Sequence, residues 1–334
     1  MHDLQKLRYD TVVNMDCDNI IKTVLDVLKC ENKELDFDDL IEIALLQVDD
    51  DLFILDFGDG DTGSVYDFVA KLYSVWLKSQ KDYTVNKIYY STNLDLAIAL
   101  SNSIANTIVV ISCNQEIPCV QRMQLSTQSN IQLVYLSGIE QQDVLQQLLQ
   151  RGLQFLENTQ SLAICHLSWL LYVGVQIPKA LLWISPNSID ILEAIELLKQ
   201  LNAPITIFSN IQYDCDLAEN IELLYDEYGI LASPYCATSY FNLIQHISAN
   251  QPVNGQNNVL TLLQSPFKHA KQVLDALGHK STNNAQKDVR QLSNLTALPI
   301  SQYMQQSLSK SPNPSNVLDI NELLSYINKN NIDN

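Results

Sequence analysis

The chain has 334 residues, 46% apolar and 17% charged, which supplies a substantial core and excludes global disorder. Its 20 basic and 38 acidic residues give a net charge of -18 at pH 7. That field repels nucleic acid and anionic membrane surfaces.

The acidity is concentrated at the start, where residues 1–70 carry 18 acidic and 5 basic side chains. This pattern reads as a solvated helical face rather than a docking tail for a basic partner. Residues 18–29 open on a capping aspartate and carry apolar positions at helical spacing, and 37–47 read as a second short helix. The run 52–57 (LFILDF) is a buried strand. A glycine-rich turn follows at 58–63, then a helix over 64–77. Strands at 85–90, 107–112 and 131–136 alternate with helices at 95–104, 118–128 and 141–157. Such alternation implies a parallel sheet with crossover helices.

A long helix over 161–175 leads to a strand at 180–184, a helix at 188–201 and a strand at 204–208. Another strand is expected at 259–263 and a helix at 266–277. Residues 281–315 are rich in Ser, Thr, Asn, Gln and Pro and read as a linker before a short closing helix at 316–327. The seven cysteines are odd in number and form no CxxC pair, so neither a disulfide framework nor a zinc site is expected. The start of the chain carries no secretory pattern. The apolar stretch 167–184 is interrupted by Gln176, Pro178 and Lys179, too early to span a bilayer. The expectation is a soluble cytoplasmic protein without a metal.

Several segments, in order, resemble threonine synthase, a pyridoxal-phosphate enzyme of fold type II. The clearest is CVQRMQLST at 119–127, where Gln121, Gln124, Leu125, Ser126 and Thr127 fall in register with the family's S-x-I-Q-x-x-Q-M-T-T. Asn130, Ile131 and Gly138 continue the match. The resemblance covers roughly residues 50–280. It implies a two-lobed α/β fold with parallel sheets and flanking helices. An acidic helical segment over 1–50 would precede a core over 51–280, with its smaller lobe at about 85–150. A polar linker and short helix over 281–334 would close the chain.

The active-site motifs depart from the family. The resemblance aligns Gly60, Thr62 and Asp67 with G-P-T-x-A-F-K-D and puts Tyr66 at the Schiff-base lysine. A phenol forms no imine. Lys71, five residues on, points roughly 140° away around a helix. The phosphate cradle S-G-N-F-G corresponds to Ser185-Pro186-Asn187-Ser188-Ile189. There proline removes an N–H donor and isoleucine crowds the approach, so the turn reads most simply as a helix cap. The loop S-G-D-T-G-S-A corresponds to the run from Ser91 to Ala97, with Thr92 and Asp95 in place of its glycines; Asp95 there would repel an anion. His166 falls at the family's N-S-I-N segment and reads as a core residue. Tyr235 stands at the histidine of D-P-H-T-A, and Lys268 matches the lysine of H-P-A-K-F.

These departures imply no catalytic residue, with Tyr66 at the lysine position, and no bound cofactor where the family uses pyridoxal phosphate. Ser185, Asn187 and Asn93 are read as degenerate remnants of a cofactor site. Thr62, Tyr66, Asp67, Tyr90, Tyr235 and Lys268 are the candidate cleft, with tyrosines and Ile189 closing it. The expected function is that of an inactive threonine synthase homologue that binds a protein partner or a small metabolite, without nucleic acid or membrane. The alternatives are an active threonine synthase converting phosphohomoserine to threonine and phosphate, or a different enzyme using Asp67, Tyr66 and Lys268 as acid–base groups.

Overall fold

The computed structural model describes residues 24, 43–79, 88–91, 93–103, 108–112, 117–127, 131–134, 159–185, 189–203, 205–209, 216–249, 255–310, 322 and 325. Within them eight strands form two sheets. The larger comprises β1 (Ala44–Gln47), β2 (Leu52–Asp56), β6 (Ala180–Trp183), β7 (Thr206–Phe208) and β8 (Asn257–Leu262), in the order β1-β2-β8-β6-β7. The smaller comprises β3 (Ile88–Ser91), β4 (Ile108–Ser112) and β5 (Ile131–Val134), in that order and all parallel. Only β1 runs antiparallel in the larger sheet.

Ten α-helices are described. They are α1 (Tyr66–Ser79), α2 (Leu94–Ser103), α3 (Cys119–Leu125), α4 (Thr159–Gln176), α5 (Ile189–Gln200), α6 (Leu217–Tyr228), α7 (Pro234–Ala249), α8 (Ala270–Ala276), α9 (Ala285–Thr296) and α10 (Gln302–Leu308). A 3-10 turn, Pro266–His269, precedes α8.

The pleat explains how β2 serves two layers, because successive side chains point to opposite faces. Leu52 and Ile54 pack with Trp183, Leu224 and Tyr240 beneath α6 and α7. Leu55, with Phe57 just past the strand, packs on the other face with Trp169 and the apolar side of α1. Helix α4 is apolar almost all round, as a helix packed on several sides must be. Despite this, no helix among the described residues is long and apolar enough to cross a membrane.

The structure revises several expected elements. Residues 44–47, expected in a helix, form the edge strand β1, because pairing with β2 satisfies their backbone. Helices α6 and α7 were not anticipated, although Asp216 caps the first through Ala218 N and Glu219 N, and Gly229 ends it in the left-handed conformation. The expected linker over 281–315 instead carries α9 and α10. Asn284 and Ser301 cap them, and Val289, Leu292, Met304 and Leu308 anchor them in a core shared with α3 and α8. The expected helices at 18–29, 141–157 and 316–327 lie almost entirely outside the described residues.

The turn before α1 is stitched to the loop after β8. Ser265 N donates to Gly63 O at 2.9 Å, and Val65 N donates to Leu263 O at 2.9 Å. Gly63 has φ of 72°, and a β-carbon there would lie 2.8 Å from the Ser265 Cβ. Gly63→Ala is therefore expected to cost about 1–2 kcal/mol in urea denaturation, since the left-handed backbone and the clash add. A neutral effect would mean that this junction yields freely.

Candidate functional site

The run from Gly60 to Asp67 folds around one carboxylate. Asp67 Oδ2 accepts from Thr62 N at 2.9 Å and Ser64 N at 3.3 Å. Gly60 lies against it so closely that a β-carbon would sit 2.5 Å from Oδ2. Ser64 Oγ accepts from Tyr66 N at 3.1 Å and starts α1. An acid at this position also suits the positive end of the helix. Tyr66 is fully buried; its hydroxyl accepts from Asn93 Nδ2 at 2.8 Å, and its ring meets the edge of His166 at 5.3 Å.

Beside this turn lies a buried ion pair. Lys268 Nζ contacts Asp95 Oδ1 at 2.7 Å, with both side chains nearly inaccessible. The 3-10 turn after β8 supplies the lysine and the first turn of α2 the aspartate. Gln121 Nε2 of α3 donates to the same carboxylate at 2.8 Å, and Gln264 Nε2 donates to Asp95 Oδ2. Gln264 in turn faces His269 Nε2 at 3.3 Å. The network thus joins the helix that follows β3 to the loop that follows β8, tying the two sheets together.

Burial pushes Asp95 up, but the Lys268 charge and the hydrogen bonds from Lys268 and Gln121 outweigh it and hold the carboxyl below its usual range. Asp67 behaves in the opposite way: burial raises it to about 6 against the opposing pull of the Lys268 charge and its own N–H donors. His166 is driven by burial down to about 3 and is neutral. Trp169 Nε1 donates to its Nδ1 at 3.3 Å, so the ring proton sits on Nε2, which is buried without a partner.

The structure brings Thr62, Tyr66, Asp67, Asn93 and Lys268 into one neighbourhood. Ser185 is buried and lines an adjoining cavity of about 870 Å³. Tyr235 stands on the rim of that cavity, 53% exposed and edge-on to His269 at 5.4 Å, so it does not fill the cleft as expected. Pro186 and Asn187, and the side chains of Tyr90 and Ile189, lie outside the described residues. Asp95 is corrected from an anion-repelling group to the counter-ion of Lys268. Gln121 was legible as a motif residue and Gln264 was not; their common target, Asp95, lies 26 and 169 residues away along the chain. Among the described residues no group of three His, Cys, Asp or Glu can hold a metal.

No family model matches the sequence, and no curated protein is significantly similar to it. Solved structures do match. Threonine synthase from Escherichia coli superposes with a TM-score of 0.70 at 14% identity, covering 96% of this chain and 90% of that one. The yeast enzyme gives 0.62 at 13%, covering 95% and 89%. Pyridoxal-phosphate-bound threonine synthase from Brucella melitensis gives 0.63 at 13%, covering 99% and 90%. The pyridoxal phosphate in that last structure, which shares this fold, runs against the expectation that this chain has no cofactor. The residues here bear on a narrower matter: position 66 offers a phenol, so a pyridoxal-phosphate imine has no amine at that point. At this level of identity the likeness shows the fold alone, and that fold is the mixed α/β fold of threonine synthase and related fold-type-II pyridoxal-phosphate enzymes.

Proposed function

We propose that this chain is a non-catalytic relative of threonine synthase that acts by binding a small metabolite or a protein partner. The observation that carries the reading is Tyr66, fully buried at the first residue of α1 and held by Asn93. The resemblance aligns this residue with the family's lysine. The buried amine nearby, Lys268, is paired with Asp95 at 2.7 Å. Drawing that amine away to attack a carbonyl would strand a buried carboxylate. Tyr66 and His166 instead pack as core groups, and Asp67 organises the turn through backbone donors. On this reading the scaffold outlasted the covalent chemistry.

The test is to add pyridoxal phosphate to the full chain, reduce with borohydride and map adducts by mass spectrometry. The expected result is no stoichiometric adduct on any single lysine and no release of phosphate from phosphohomoserine. A single fully modified lysine with turnover would establish the active-enzyme alternative instead.

A further inference from the structure

We infer that the cavity beside the Lys268–Asp95 pair binds a small organic anion, whose carboxylate or phosphate group sits on the Arg122 guanidinium. This inference goes beyond the proposed function and does not rest on it.

Arg122 belongs to α3 and lines the cavity of about 870 Å³. Its Nε is buried and has no hydrogen-bond partner, and among the described residues the guanidinium forms no ion pair. The chain carries 38 acidic residues, yet none of those described pairs with this cation. Arg122 as a whole is only partly buried, but its buried Nε lacks the hydrogen bond that a buried donor ordinarily finds. A planar guanidinium is best matched by a carboxylate or a phosphate.

The other ionisable lining groups give the cavity its sign. Lys268 is already neutralised by Asp95. Lys271, one turn later on α8, is an exposed second cation at the mouth. Burial lowers His269, against the opposing pull of Asp95, and makes it mainly neutral. The lining carboxylate is Asp288, whose Oδ1 accepts from Thr282 N and Thr282 Oγ1 at 2.7 Å each and so anchors the turn before α9. The cavity therefore presents Arg122, which has no ion-pair partner among the described residues, and at its edge Lys271, whose charge acts on Asp275 four residues along α8 without forming a close ion pair.

Ile117, Val120, Leu217, Pro234, Ala270 and Ala285 give the same cavity apolar walls. Its volume lies within the roughly 300–1,000 Å³ typical of small-molecule sites. The combination fits an anionic head with an apolar body. A neutral or cationic ligand would leave Arg122 unmatched.

Phenyl phosphate, phenylacetate and neutral benzyl alcohol are the probes, titrated calorimetrically into the full chain. Cys119 lines the cavity and is partly exposed, so the rate of its alkylation by iodoacetamide, read by peptide mass spectrometry, reports occupancy independently. At least one anionic probe is expected to bind and to slow Cys119 alkylation at least tenfold, and the stronger of the two names the head group. Arg122→Met should weaken binding at least tenfold and abolish the protection. Arg290→Met makes the same charge change on the exposed face of α9 and should alter neither. If Arg122→Met fails to fold, Arg122→Lys keeps the charge but loses the planar fork, and should weaken binding at least threefold. Equal affinity in wild type and the Arg122 variant, equal binding of benzyl alcohol, or no binding and no protection at millimolar probe each overturns the inference. The borohydride test reads lysines and this one reads Arg122 and Cys119, so either reading can fail while the other stands.

Discussion

Lys268→Met is expected to lower the unfolding free energy by about 3–5 kcal/mol in urea denaturation, because removing one partner of a buried ion pair strands the other. Asp95 would keep its bonds from Gln121 and Gln264 but lose the ammonium at 2.7 Å. Two amide donors do not repay the desolvation of a carboxylate. The double variant Lys268→Met/Asp95→Asn should recover part of the loss, since an asparagine amide needs no counter-ion. The two changes touch one network, so a coupling energy of about 1–3 kcal/mol is expected from the cycle. A single-variant loss below about 1 kcal/mol, or strict additivity, would mean that water reaches the pair. This position is where the two sheets are joined, so the same variant should also broaden the unfolding transition.

Asp67→Asn is expected to gain stability relative to wild type as pH rises from 4 to 7, by about 2 kcal/mol across that range. Burial raises the folded Asp67 to about 6 from its ordinary 3.8. The folded state therefore holds the proton more tightly than the unfolded chain does. That stability is fully present below 3.8 and is lost as pH rises through about 6. Asparagine keeps an oxygen for the Thr62 and Ser64 N–H donors and has no charge to desolvate.

The comparison is between variant and wild type because other groups titrate in the same range. Asp56, raised to about 6 chiefly by burial, runs in the same direction as Asp67. His166, lowered to about 3 by burial, runs in the opposite direction: its contribution is present above 6.5 and is lost as pH falls. Denaturation midpoints at pH 4, 5, 6 and 7 check the result. A difference that stays flat, or grows toward acid, would show that Asp67 is ionised without penalty.

Much of the sheet was legible before any coordinates. The runs IVVIS at β4, LFILD at β2 and NNVLTL at β8 are short, carry aliphatic residues and are bounded by turn residues, as strands of a parallel sheet are. Helix α6 was legible too, through Asp216 and Gly229, and was missed because its apolar positions are interrupted by acids on the solvent side. Helices α9 and α10 were masked by composition. Each buries only a few apolar residues, and a polar segment with so narrow an anchoring face resembles a linker until its neighbours are known.

Taken alone, the sequence determined the alternating α/β order, the resemblance carried by Gln121 to Thr127, and the phenol at position 66. Those are local properties: periodicity, turn chemistry and the identity of one side chain. Only the tertiary structure decided that Asp95 is the partner of Lys268, 173 residues away, that Tyr66 is closed off by Asn93 and His166, and that Arg122 faces a cavity with no ion-pair partner among the described residues. The reason is physical. The state of a buried charge depends on its dielectric surroundings and on which opposite charge lies within a few ångströms, and the fold sets both.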